Sequence, residues 1–286
     1  RQAHNPTTPT MPWQAHLNLH HRRDATRTVL KHTHDGPLRI LKSLYPEGEG
    51  ICHNVIVHPP GGLVGGDTLN IDVRVDAAAH ALISTPGATR FYRSEGPAAT
   101  QQVRLRVEAG ARLEWLPLET IAYPDCNAVN RLQLQVAPGA ECIGWDVCAL
   151  GLPNAGQPFE RGRMAQHLAM PGLWLERATI DAADTRLLSS PLGLAGQRCL
   201  GTLWLACGEP LARERREYLL DAVRDTLGQA GADVRAGATC PHPQVLVVRA
   251  LAPLVEPLMA GFQQVWATLR AQAWGMAQVP PRIWQV

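Results

Sequence analysis

The stretch Ile51–Thr68, ICHNVIVHPPGGLVGGDT, decides the fold around it. An apolar run ends at His58, and Pro59 and Pro60 then stop the strand, because proline cannot donate a hydrogen bond to a β-ladder. Glycines follow at once, and they allow turns with positive φ and close approach of the backbone to its neighbours. They are Gly61, Gly62, Gly65 and Gly66. The sequence therefore predicts a strand, a glycine-rich loop and, after Asp67, a second strand.

The spacing of this loop also fits a phosphate-binding loop, since Gly61, Gly66 and Thr68 match G-x-x-x-x-G-K-[ST]. Asp67, however, occupies the lysine position, and its carboxylate would repel phosphate. A strand also follows, where a helix N-terminus would be needed to donate its amides. We therefore reject nucleotide binding here. From these residues alone, a glycine-rich strand connection with a solvated Asp67 remains open.

Composition excludes several classes of protein. The chain has 286 residues, 45% of them hydrophobic and 18% charged, which is typical of a globular protein with a substantial core. Its net charge of +2 argues against a nucleic-acid partner. Seven cysteines without a C-x-x-C pair indicate neither a disulfide framework nor a structural zinc site. With no signal peptide and no long apolar span visible, we expect a cytoplasmic protein with no membrane partner.

A repeat organises the middle of the chain. Four alternating strands are each followed by a turn of small residues, DAAA (76–79), EAGA (108–111), APGA (137–140) and AMPG (169–172), and then by a second strand. The first strands end at Val75, Val107, Val136 and Leu168. A lone β-hairpin cannot bury its own apolar face. The spacing therefore predicts stacked antiparallel β-hairpins that form an extended body of several sheets.

The last part of the chain changes character. Helical spacing covers Glu209–Gly228 and Pro253–Gly275, and an apolar strand, Val245–Leu251, lies between them. The predicted fold class is thus α+β, mostly β, with two C-terminal helices. We expect a loose tail at 1–12 and a single domain over 13–286, with a β body at 13–206 and a helix-strand-helix region at 207–286. The second helix carries an apolar stripe with Phe262 and Trp266, which we expect to contact a partner or to support that surface from below.

Several acids stand among large apolar residues or at strand ends, namely Asp67, Glu114, Glu119, Asp146 and Glu176. Such acids are either paired with arginines in the core or line a wet cavity. Two functions from different classes follow. One is a scaffold that passes a metal ion, and the other is a carboxylate-based enzyme or carbohydrate-binding protein with Asp146 and Glu176 as its acid and base. The scarcity of Phe and Tyr favours the scaffold. No serine or cysteine shows a nucleophile motif.

Five motifs in order carry a resemblance to a known family. HPPGGLVGGD is followed by PGATRFYR (86–93), LEWLP (113–117), GWD (144–146) and PRIW (281–284). Over about 13–284 the chain resembles the urease accessory protein UreD family, called UreH in some organisms. The resemblance implies a β-rich scaffold that is not an enzyme. It also implies direct binding of UreF, which recruits the GTPase UreG, docking on urease apoprotein, and UreE as nickel donor. GTP hydrolysis then belongs to UreG.

The resemblance further implies a water-filled passage that guides nickel, bound only transiently, to the nascent urease active site. The implied nickel-binding positions are Asp67, Glu119, Asp146 and Glu176, with Thr89 and Arg90 lining the passage and His58 beside the four loop glycines. Such a route must hold the ion weakly at several places, which hydrated carboxylates do and a Cys/His cage does not. Two departures, Leu118 and Leu152, each stand where the family has a polar side chain.

Overall fold

Two β-sheets lie face to face, and two helices cover the outer side of the larger sheet. The computed structural model describes residues 12–285, so of the predicted tail only Pro12 is described. In chain order the strands are β1 (Gln14–Asp24), β2 (Arg27–Asp35), β3 (Arg39–Ile40), β4 (Ile51–Val57), β5 (Thr68–Val75), β6 (His80–Ser84), β7 (Thr89–Phe91), β8 (Ala99–Val107), β9 (Arg112–Leu116), β10 (Thr120–Ala122), β11 (Cys126–Val136), β12 (Glu141–Leu152), β13 (Gln157–Pro158), β14 (Gly162–Met170), β15 (Trp174–Asp181), β16 (Cys199–Cys207), β17 (Arg235–His242) and β18 (Val245–Ala252). The helices are α1 (Thr185–Ser189), α2 (Arg213–Gly228) and α3 (Val255–Trp274), with short 3-10 turns at Pro153–Ala155 and Arg282–Gln285.

The first sheet has seven strands in the spatial order β15-β14-β11-β8-β5-β1-β2. The second has eleven, with the main order β17-β18-β16-β12-β9-β6-β4-β3 and with β7, β10 and β13 beside this path. Strands on both sides of the predicted boundary at 206/207 share this second sheet, because β16 pairs with both β12 and β18. The predicted class, mostly β with C-terminal helices, is confirmed.

The pairing inside the repeats differs from the predicted hairpins. In the first three units the first strands, β5, β8 and β11, run parallel side by side in the seven-stranded sheet. The second strands, β6, β9 and β12, run parallel in the larger sheet. Each turn is therefore a corner between the two sheets, and the units stack as coils. Val75, Val107 and Val136 do occupy corresponding places, as the spacing predicted.

The corners themselves show this equivalence. The third residue of each of the first three turns has a left-handed backbone, with φ of 58° at Ala78, 68° at Gly110 and 76° at Gly139. The sequence itself indicates that these units are not hairpins. The second strands are nearly continuous apolar runs, whereas a strand with one solvated face would alternate. All five residues of β6 are buried, as strands of a parallel sheet covered on both faces are.

The fourth unit is the hairpin that the pattern predicted. Strand β14 pairs with β11 in parallel, but it then turns back into β15, which pairs with it antiparallel in the same sheet. Leu168 lies opposite Leu132, not opposite Val136, so this unit is shifted by four residues relative to the others. Strand β15 thus ends the seven-stranded sheet.

Helix α3 packs its apolar stripe on the larger sheet. Phe262 and Trp266 are each only 1% exposed, so these two side chains do not themselves contact a partner, and support of such a surface from below stays a prediction. The close approach of α3 to the sheet depends on Gly201 of β16, because an added Cβ there would lie 2.7 Å from the Phe262 ring. No helix in the described part of the chain is long and apolar enough to cross a membrane.

A buried ionic network fixes α3 to the β-sheet. Its centre is the fully buried Arg270, and five other side chains surround it: Glu47, Glu114, His53, His80 and Trp266. Arg270 donates to Glu47, and its Nε lies 3.7 Å from Glu114 Oε2. Glu114 also accepts from the indole of Trp266 and is bonded to His80 at 2.7 Å. Glu114 is therefore a paired structural acid and does not line a wet cavity.

Candidate functional site

A row of three amide side chains crosses the inner face of the seven-stranded sheet. Gln101, Asn130 and Gln166 stand opposite one another on β8, β11 and β14. Their neighbours along each strand at the inward positions are apolar, such as Leu132 and Leu168, which are 3% and 1% exposed. Gln101 donates to Asn130 at 3.3 Å. We call these three residues the amide row, and such a polar line inside a core marks a candidate functional site.

Asp146 faces the amide row from the opposite sheet. It lies on β12, and one carboxylate oxygen accepts from the amide of Asn130 at 2.7 Å while the other accepts from Gln166. The side chain is buried, with 8% of the residue exposed. Burial raises the pKa of Asp146 to about 6, although both amide hydrogen bonds act in the opposite direction. The expectation that this acid is solvated is therefore wrong, and its carboxyl takes up a proton at a higher pH than an ordinary aspartic acid does.

A small void adjoins Asp146, and a second cavity lies beyond it on the same side. A void of about 20 Å³ is lined by Thr89, Gln101, Asn130 and Asp146, among others, and this is room for about one water. Thr89 and Gln101 also line a second cavity of about 170 Å³, together with His58 and Arg90. Burial lowers the pKa of His58, so its imidazole is neutral at physiological pH. The structure thus brings together Thr89, Arg90, His58 and Asp146 from the predicted set.

Glu176 lies on the other side of the amide row. It lines a groove of about 570 Å³ together with Gln166, Thr202 and Arg249. Arg249 donates to Glu176 Oε1, whereas Glu176 Oε2 is buried and has no hydrogen-bond partner among the described residues. Polar groups thus run from the His58 cavity past Asp146 and Gln166 to an acid with one free oxygen.

Asp67 holds the glycine-rich loop. One oxygen accepts from the backbone amide of Trp13 at 3.1 Å, and the other accepts from that of Val64 at 2.9 Å. The residue is 4% exposed and lines none of the cavities described above, so the expectation of a solvated acid is wrong. Buried amides need such acceptors, which gives this carboxylate a structural task.

The loop glycines are required for different reasons. Gly61 and Gly66 have φ of 77° and 89°, which other residues rarely adopt. At Gly62 an added Cβ would lie 2.1 Å from the ring of Tyr92, and at Gly65 it would lie 2.3 Å from the hydroxyl of Ser94. The loop is therefore shaped by its neighbours, and Gly61 alone of the four lines the His58 cavity.

Glu119 lies apart from the amide row. It is half-buried and lines none of the cavities described above. Burial raises the pKa of Glu119, and the nearby carboxylate of Glu256 in α3 acts in the same direction, while Arg90 lowers it. Of the predicted acids, the structure therefore places Asp146 and Glu176 on either side of Gln166 and leaves Asp67 and Glu119 elsewhere.

The amides of this site were missed, although a sign of them is present in the sequence. Apolar and polar residues alternate along β11, and with Arg131 and Gln133 facing outward this alternation puts Asn130 inward, between Ala128 and Leu132. Polar residues at inward positions of several strands predict a polar feature in the core. Only the pairing of the strands shows that these positions share one row.

Chemically, the site offers oxygen ligands and hydrogen-bond donors. Both oxygens of Asp146 accept from amides, and Glu176 Oε1 accepts from Arg249, so the two acids do not face a substrate as a free acid and base. The groove beside Glu176 is lined by no aromatic side chain on which a sugar would stack. Within residues 12–285, no three His, Cys, Asp or Glu side chains come together as ligands for a metal ion.

Comparison with known proteins gives a consistent result. The family model described as UreD urease accessory protein matches residues 14–285. A urease accessory protein UreD of Albidiferax ferrireducens is 60% identical over 274 residues, covering 96% of this chain and 99% of the relative. The corresponding proteins of Variovorax paradoxus and Methylibium petroleiphilum are 59% and 49% identical, each over 96% of this chain and over 99% and 100% of the relative.

Proposed function

The chain belongs to the UreD family of urease accessory proteins, and from this membership we propose that it serves urease maturation as a scaffold that guides nickel. In this proposal it binds UreF directly and UreG through UreF, and the assembly docks on urease apoprotein in the cytoplasm. UreE supplies the nickel, and GTP hydrolysis belongs to UreG. The family membership supports the role in maturation, while the passage of the ion rests on the interior of the β body.

The amide row with Asp146 is the observation that carries the nickel passage. Gln101 lines both the cavity beside His58 and the void at Asp146, and Gln166 lines the groove beside Glu176, which supports a route along this row. Ni²⁺ accepts oxygen and nitrogen ligands, and a route must bind it weakly enough to release it. A single carboxylate flanked by amides meets that condition, since amide and carboxylate oxygens are far weaker ligands for nickel than thiolates. Glu176, with its free Oε2, is the next acceptor along the path.

Protonation gives Asp146 a further property suited to this task. With a pKa of about 6, its carboxyl is mostly ionised at neutral pH and becomes protonated in mild acid. An arriving dication favours the ionised form, and protonation in mild acid would weaken the hold of this carboxylate on the ion. The other predicted positions take supporting parts: Thr89 and Arg90 line the first cavity, Asp67 holds the loop beside it, and Glu119 lies near Arg90 outside the cavities.

Reconstituted activation of urease tests the proposal. Urease apoprotein is incubated with nickel, UreE, UreF, UreG and this chain, as wild type or with Asp146→Asn or Asp146→Lys. We expect nickel incorporation to fall in the order wild type, Asp146→Asn, Asp146→Lys, because a fixed positive charge repels a dication in a medium of low dielectric constant. Pull-down of UreF and UreG should be unchanged in all three.

The matched control is Asp72→Lys, which makes the same change of charge on the outer face of the seven-stranded sheet, where Asp72 pairs with Arg104. This variant should activate urease as wild type does. If Asp146→Lys loses nickel incorporation only to the extent that it also loses the complex, the acid is structural and the passage is refuted. If the wild-type chain does not promote activation at all, the maturation role itself is refuted.

A further inference from the structure

The outer face of the seven-stranded sheet carries a row of cationic and basic side chains at its β15 end. Arg131 on β11 stands opposite His167 on β14, and His167 stands opposite Arg177 on β15. Neighbouring strands lie about 4.8 Å apart, so the row is roughly 10 Å long. Arg163 lies on the same face of β14, two outward positions before His167. We call Arg131, His167 and Arg177 the basic row.

The other end of the same face carries several ion pairs. There Arg104 lies 3.4 Å from Asp72, and Arg74 pairs with both Asp76 and Glu108. In the described part of the chain, by contrast, no carboxylate oxygen lies within 4.0 Å of Arg131, Arg163 or Arg177. Arg131 and Arg177 therefore lack the ion-pair partners that Arg74 and Arg104 have, while Asp181 stands opposite Arg163 in the register of β14 and β15.

The basic row lies in a groove with apolar walls. This groove has a volume of about 1070 Å³, and among residues 12–285 no Asp or Glu lines it. Its apolar lining includes Val129, Leu173 and Leu175, and Leu175 is 59% exposed. Leu175 thus adds exposed apolar surface beside arginines that lack carboxylate partners. The combination fits a ligand that carries both carboxylates and an apolar side chain.

We propose that this groove docks an acidic segment of a partner protein, with carboxylates on Arg131 and Arg177 and an apolar side chain against Leu175. Arginine binds carboxylates through two parallel hydrogen bonds, and it is enriched in protein interfaces for that reason. A nucleic acid fits less well, because its phosphates need an extended basic surface, whereas the other end of this face carries its own acids. The proposal does not depend on the nickel passage, although Gln166 and Arg177 line both this groove and the one beside Glu176.

Selection of short random peptides displayed on phage tests the proposal. The full chain is used as bait, and the selected peptides are measured by fluorescence polarisation at physiological ionic strength. We expect enrichment of Asp and Glu next to Leu, Ile or Val. The variant Arg131→Glu/Arg177→Glu should weaken the selected peptides by roughly tenfold or more, as expected when two ion pairs become repulsive.

A matched variant makes the same change of charge elsewhere on the same face. Arg22→Glu/Arg106→Glu alters two exposed arginines outside the groove, and it should keep the affinity of the wild type. Selected peptides that lack acidic residues, or that bind Arg131→Glu/Arg177→Glu as tightly as wild type, would overturn the proposal. So would a labelled oligonucleotide that binds the groove more tightly than any selected peptide. Circular dichroism of both variants checks that each is folded.

Discussion

Replacing Asp146 with asparagine should stabilise the folded chain at pH 8, although it removes a buried charged partner of two amides. The pKa of Asp146 is raised from 3.8 to about 6, so the folded state holds the proton more tightly than the unfolded state does. The stability that this group contributes is therefore present below pH 4 and is lost as the pH rises through 6. A shift of about two units corresponds to about 3 kcal/mol at pH 8. Asparagine cannot ionise and escapes this loss.

Urea unfolding of wild type and Asp146→Asn between pH 4 and pH 8 measures the effect. The difference in free energy of unfolding should move in favour of the variant by up to about 3 kcal/mol over that range. Its value at pH 4 reports the altered hydrogen bonds with Asn130 and Gln166, since asparagine offers one donor and one acceptor. Asp72→Asn, at the exposed pair with Arg104, serves as the control and should show no comparable gain. The reasoning would be refuted if the difference in free energy of unfolding between variant and wild type did not change with pH. It would also be refuted if this difference moved in favour of the wild type between pH 4 and pH 8.

Two further predictions concern structural carboxylates. Arg270→Met should lower the free energy of unfolding by about 3–5 kcal/mol, because it leaves Glu47 and Glu114 buried without their cation; a loss below about 1 kcal/mol in urea unfolding would contradict the network. Asp67→Ala should cost about 1–3 kcal/mol for each backbone amide that loses its acceptor, at Trp13 and Val64. Thermal unfolding measures that loss, and nickel incorporation into urease should fall only in proportion to the folded fraction; a larger fall would instead support Asp67 as a ligand.

Local sequence patterns predicted where the strands and turns lie better than they predicted which strands pair with each other. The corner turns and the alternation before them placed Val75, Val107 and Val136 at equivalent positions, and the parallel register confirms this. A hairpin and a coil both need two alternating strands joined by a turn of small residues, so the pattern did not distinguish them. The fully buried strand β6 was the better guide, because a hairpin with one solvated face would alternate.

The candidate site was predictable only in part for the same reason. Asp146 and Glu176 were identified from acids among apolar residues, but their amide partners depend on the pairing of β11 with β14. Asp67 was placed in the right loop with the wrong environment, since its backbone partners include Trp13, far away in the chain. Contacts of this kind are set by tertiary structure, and no local sequence pattern indicates them.

The ionic network around Arg270 also governs the order in which the chain can become stable during synthesis. Glu47 and Arg270 are separated by 223 residues, so the first coils leave the ribosome long before the cation that neutralises their buried acids. Until α3 arrives, Glu114 has no arginine, and the apolar side of the larger sheet that α3 covers faces water. Contacts so distant in sequence slow folding and prolong the exposure of apolar surface. We therefore expect general chaperones to bind the nascent β body and to release it only after α3 has packed on the larger sheet.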